Sequence, residues 1–137
     1  MARGLNPARL KRGLVPYVDL TISLGGAANE VDITVQLKDS DERDVNEVVM
    51  FNCWTASDVN GATLANDPTS AHGDGGSGYL IGTMQSTAHG AFLTDTTGEA
   101  VVTVTDTGSV ANRFVVEDPR TGLIHVTRNF ASADFGS

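Results

Sequence analysis

Within the stretch AHGDGGSG, residues 71–78, stand a histidine, an aspartate and a serine: His72, Asp74 and Ser77. These are the side-chain types of nucleophilic acyl transfer. A serine hydroxyl attacks, an imidazole takes its proton, and a buried carboxylate orients the imidazole. Residue types alone do not make a triad, so spacing and setting decide whether the segment is catalytic.

The run resembles the Gly-Asp-Ser-Gly-Gly signature around the nucleophile of chymotrypsin-like proteases, with the serine displaced. That chemistry needs the nucleophile's amide and the amide of a glycine two residues earlier to point at one oxyanion. It also needs a histidine delivered from elsewhere in the fold. Here Ser77 follows Gly75 and Gly76, and His72 lies five residues away on the same segment. The motif's order is broken, and a chain of 137 residues is too short for the double barrel that carries it. No Gly-x-Ser-x-Gly elbow is present either. The sequence predicts a loop and no catalytic residue.

Other chemistries fare no better. DVNG, Asp58 to Gly61, opens like a calcium loop, but the third ligand position lacks an acid and the closing glutamate is missing. Turn formation by Asp and Asn is the simpler account. His72, His89 and His125 are far apart, and none has the i, i+4 spacing of helical ligands. Cys53 is the only cysteine, which excludes an intrachain disulfide and argues against the usual zinc sites. In VVMFNCWT it reads as a small buried apolar residue. DSDERD, residues 39–44, is more simply a charged hairpin than a glycosidase's carboxylate pair. Neither a metal nor a cofactor is expected.

The elements around these residues follow a period of two. In EVDITVQLKD, Val31, Ile33, Val35 and Leu37 alternate with Asp32, Thr34, Gln36 and Lys38, the pattern of a strand with one buried face. YVDLTISL alternates likewise through Val18, Leu20, Ile22 and Leu24, whereas EVVMFNCWT is more continuously apolar, as in a central strand. DTTG, residues 95–98, suits a type I turn between GAFLT and EAVVTVTD. DPRTG separates NRFVVED from LIHVTRNF, with Gly122 placed for positive φ. In that last strand His125 alternates with Ile124 and Val126, which predicts a solvent-facing histidine. Phe51, Trp54, Phe92, Phe114 and Phe130 lie in strand-like runs and are expected in the core. About seven short strands with frequent turns predict an all-β antiparallel sandwich over residues 17–130. Residues 57–78 read as one long Gly/Asp-rich loop, and 131–137 as a loose tail.

Charge is segregated. Residues 1–16 hold Arg3, Arg9, Lys11 and Arg12 and no acid, for +4. The rest carries five cations against 17 acids, for −12, and together they give the net −8. This predicts a basic arm on an acidic body. Four cations without interleaved aromatics make a poor phosphate track, which disfavours nucleic acid. No apolar run approaches a membrane span.

VDITVQLKDSDERDVNEVVMFNCWT and FLTDTTGEAVVTVT resemble two segments of bacterial immunoglobulin-like domains. The wider layout, an arm at 1–16 followed by KDSDERD, SDVNG and DPRTGLIHV, is similar to small immunoglobulin-like virion proteins of tailed bacteriophages. The resemblance implies an immunoglobulin-like sandwich with an extended N-terminal arm. It also implies a structural role in the virion, assembled in the host cytoplasm, as a capsid decoration or tail accessory protein. Its partners would be a capsid or tail protein and copies of itself, such as a trimer. The expected contacts are Arg3, Arg9, Leu10, Lys11, Arg12 and Leu14. The alternative is a host-surface glycan-binding module, or a tail-associated domain, reading through Asp58, Asn60, His72, Asp74 and Tyr79.

Overall fold

A computed structural model of the chain describes residues 17–62, 71–74, 76–85, 89–106, 112–117, 122 and 124–136. The basic arm, with Arg3, Arg9, Leu10, Lys11, Arg12 and Leu14, lies outside the described residues.

The alternation of EVDITVQLK becomes β2 (Glu30–Lys38), in which Val31, Ile33, Val35 and Leu37 are all fully buried. β1 (Tyr17–Leu24) pairs antiparallel with it from Tyr17↔Lys38 to Leu24↔Val31. β3 (Met50–Ala56), β4 (Ala71–Asp74), β5 (Tyr79–Gln85) and β6 (His89–Leu93) follow, then β7 (Glu99–Thr105), β8 (Arg113–Glu117) and β9 (Ile124–Val126). They form two antiparallel sheets in the orders β1-β2-β7-β4 and β5-β6-β3-β8-β9. The chain is an all-β sandwich. Between the sheets, the inward aliphatic rows of β2 and β7 meet Phe51, Cys53, Phe92, Phe114 and Val116. Phe51 and Phe92 contact each other with ring centroids 5.7 Å apart.

The described residues contain nine strands where the sequence predicts about seven. The unforeseen β4 lies inside the predicted 57–78 loop. Its four residues, AHGD, include a glycine and have little strand propensity of their own. They are a strand because β7 offers them an edge, in the register Ala71↔Thr105 to Asp74↔Val102.

Two predicted hairpins are corrected in the same way. Asp39 Oδ1 accepts from the amides of Asp41 (2.8 Å) and Arg43 (3.0 Å), and Lys38 pairs with Asp44. The charged turn therefore exists, but β2 and β3 then enter different sheets. The Gly98 amide likewise donates to Asp95 O at 3.0 Å, closing the predicted turn, yet β6 and β7 also diverge. Gly98 has φ +76°, and a side chain there would collide with Val45 O. The turn thus needs glycine both for its dihedral and for a close backbone approach. The β8–β9 pairing is as the sequence predicts, with Gly122 at φ +72°.

The tail is a correction. Phe130 and Phe135 are buried and meet edge to face. The Gly136 carbonyl accepts from Asn29 N (2.9 Å), and its amide donates to Glu30 O (2.7 Å). A short 3₁₀ turn, Ser132–Asp134, supplies Asp134, whose carboxylate accepts from Ala131 N and pairs bidentately with Arg128 at 2.7 and 2.8 Å. Residues 127–136 therefore close one end of the sandwich over the β1–β2 turn.

Candidate functional site

The two sheets present unlike outer faces. Outward positions on the four-stranded sheet are mostly polar: Asp19, Thr21 and Ser23 on β1, Asp32, Thr34 and Gln36 on β2, and Glu99, Thr103 and Thr105 on β7, with Val101 the apolar exception on β7. Thr103 donates its hydroxyl to Asp32 Oδ1 at 2.6 Å, a cross-strand bond that keeps this face wet and ordered.

The five-stranded sheet carries apolar side chains on both sides, its outer face interrupted by Arg113 and by the Asn52–Glu117 pair, in which Asn52 Nδ2 donates to Glu117 at 3.3 Å. Val115 is fully buried yet stands apart from the core between the sheets. It faces outward from β8 opposite Trp54 and Val126. Its cover is the chain after β3. The Gly61 amide donates to Asp58 O at 3.2 Å, and the Trp54 indole N–H donates to Gly61 O at 2.7 Å. Gly61, at φ +71°, lies so close that a Cβ would stand 2.9 Å from Val115 Cγ2. Asp58 and Asn60 therefore belong to a turn that roofs half of this face.

The other half has no such roof among the described residues. Register aligns Tyr79, Leu93 and Met50 in one row across β5, β6 and β3. Val48 precedes that row and Ile81 sits in a β-bulge between Leu80 and Gly82. Val48 is 54% exposed, Met50 45%, Tyr79 68% and Ile81 52%. Acids border the strip. Thr94 accepts from Val49 N and donates to the Glu47 backbone carbonyl, which fixes the backbone of residues 47–49 beside Thr94. Glu47 and Asp95 therefore stand in the chain next to Val48 and Thr94 at the strip's lower end. Asp95 Oδ1 accepts from the Thr97 hydroxyl and the amides of Thr97 and Glu99. The Thr97 hydroxyl bond is the chief cause holding its carboxyl below the usual range.

The residues expected to form one recognition loop are dispersed. His72 and Asp74 pair with Val104 and Val102 at the edge of the four-stranded sheet, while Asp58 and Asn60 lie over β8 and β9. Tyr79 stands at the opposite edge of the five-stranded sheet. Ser77 gives its carbonyl to Val101 N at 2.9 Å, and Gly78 (φ +75°) passes too close to Leu93 O and Ala100 to carry a side chain. The glycines thus serve a crossover from one sheet to the other. The sequence signal for this was Gly78 itself, the last glycine before the apolar run YLIGT.

His125 corrects its prediction. Its register partner is Val116, a core residue, so it lies on the inward side of β9. There it lines a groove of about 640 Å³ between β1 and β9, together with Val18, Leu20, Ile22 and Arg128. Cys53 is buried on the inward side of β3, and burial pushes its thiol pKa up to about 12, which makes it inert as a nucleophile. Among the described residues no three His, Cys, Asp or Glu side chains gather as a metal site.

The exposed strip was legible only in part. Tyr79 was singled out in the sequence, but Met50, Ile81 and Leu93 are ordinary strand residues until register aligns them. Comparison with models of known protein families, with curated proteins and with solved structures gives no match for this chain.

Proposed function

We propose that this chain is a structural protein of a tailed-bacteriophage particle. It would be an immunoglobulin-like decoration or accessory subunit whose basic leader, residues 1–16, ties it to acidic neighbours. Strand order supports the immunoglobulin-like part. β1-β2-β7-β4 has the succession A-B-E-D of such domains, and β3-β8-β9 that of C-F-G, with β5 and β6 added beside β3.

One observation carries the functional part. The leader joins β1 at Tyr17, whose register partner is Lys38. It therefore leaves from the end of the sandwich that carries Asp39, Asp41, Glu42, Asp44, Glu47 and Asp95. A segment of +4 attached at an acidic end of a body of −12 supports contact between like subunits. Its cations relieve the repulsion that acidic bodies would otherwise feel at close range.

The test is made on particles. Mass spectrometry of purified virions of the source phage should find the chain in a fixed ratio to the shell protein. Deleting residues 2–16 should release it from the particle while the far-UV signature of the sandwich persists. Absence of the chain from virions, or retention of the leaderless chain, would overturn the reading. Binding of host-surface glycans that survives leader deletion and fails on Tyr79→Ala would favour the glycan module instead.

A further inference from the structure

We propose that the strip formed by Val48, Met50, Tyr79, Ile81 and Leu93 is the docking site for residues 9–14 of a second copy's leader. The inference rests on the reading of the leader as a tether and adds where it binds.

Size argues for a peptide segment. Five side chains are far fewer than the roughly 20–30 residues a side of a standard domain interface, yet they suit a short stretch bearing two apolar anchors. The leader has such a stretch: Leu10 and Leu14, with Arg9, Lys11 and Arg12 beside them. Charge matches too, since Glu47 directly precedes Val48 and Asp95 follows Leu93 by two residues, at the end of the strip where Val48 and Met50 lie.

Reach argues for a second copy. β1 lies against β9, and β3 is two places beyond β9 in the facing sheet. Strand spacing near 4.8 Å and sheet separation near 10 Å put β3 about 14 Å from β1, with the strip on its far side. Leu14 is three residues from Tyr17, a span of at most about 11 Å. Leu14 cannot reach the strip of its own body, so the chain's own leader cannot seat Leu10 and Leu14 there together. A neighbour's leader can, and exchange of leaders generates closed rings or reciprocal pairs.

The experiment uses the full chain. A photo-crosslinking amino acid replaces the exposed Tyr79, and ¹⁴N- and ¹⁵N-labelled protein are mixed before irradiation. The expected product joins position 79 to residues 9–14, with mixed-isotope species at the statistical share. Ile81→Lys and Met50→Lys should each weaken self-association on the order of tenfold, as loss of a central anchor does, with the melting temperature unchanged. Raising salt should weaken it as well. Crosslinks only within one isotope, crosslinks to the body of the second copy, or a chain that stays monomeric would each overturn the proposal. If Ile81→Lys leaves association intact while leader deletion abolishes it, the docking site is wrong and the tether stands. If leader deletion leaves association intact, the tether itself fails.

Discussion

The two outer faces of this sandwich are built by the same antiparallel pairing and differ in how much apolar surface they carry. On the four-stranded sheet, Thr, Ser, Asp and Gln alternate with the core row, and water covers them. On the five-stranded sheet, Val115, Val126 and Trp54 point outward and need a roof, which the Asp58–Gly61 turn supplies by close approach at Gly61. The row Tyr79–Leu93–Met50 on the same face has no roof among the described residues. Contiguous exposed apolar surface on a small domain marks a site of contact. An apolar outer face is therefore evidence of a cover, and on this face the chain itself provides only half of one.

The sharpest way to break the comparison is to put a charge on each face. Val115→Asp would bury an unpaired carboxylate beneath Gly61 and should cost about 4 kcal/mol or more in denaturant unfolding. Thr21→Asp, at an exposed outward position on β1, should stay within about 0.5 kcal/mol of the parent. Equal losses would mean that the faces do not differ.

A smaller effect is expected from loosening the roof. Gly61→Ala meets a positive φ and a Val115 methyl at once, and should cost about 2 kcal/mol. Tryptophan fluorescence should shift to the red as the indole N–H loses its 2.7 Å bond to Gly61 O. An unshifted spectrum would mean that the turn does not cover Trp54.

Acid titration separates the closed end of the molecule from both faces. The bidentate Arg128 guanidinium, aided by the Ala131 amide, lowers the Asp134 pKa to about 2. In the unfolded chain an aspartate titrates near 3.9. The folded value is the lower one, so the contribution is complete above about pH 4 and is lost as pH falls towards 2. Asp134→Asn should flatten part of the stability slope between those values. Asp95, also depressed, should keep its own part of the slope. An unchanged slope would show that the pair does not hold the tail.

The smallest effect on stability should come from the strip. Ile81→Lys, at an exposed bulge position, should move the unfolding free energy by less than about 0.5 kcal/mol. A large loss would mean that Ile81 is packed against this chain's own body, and the strip would cease to be an unroofed surface.

The sequence by itself determined the strands whose two sides differ. In β2 and β7 the alternation is strict because one face is dry and the other wet, so register and burial follow from a period of two. The hydrogen-bonded turn at Asp95–Gly98 and the β8–β9 pairing were legible for the same local reasons, turn chemistry and chain proximity. What the tertiary structure decided was everything that depends on a partner distant in the chain. AHGD became β4 because β7 had a free edge. Phe130 and Phe135, without periodicity, became a clamp because the β1–β2 turn lay within reach of Gly136. His125 turned inward because Val116 fixed its register. A triad's residue types, His72, Asp74 and Ser77, fell along an edge strand and a crossover, because glycine serves close backbone approach as readily as it serves catalysis. Local pattern encodes the contrast between water and core along one strand, and only pairing in space decides what lies beside it.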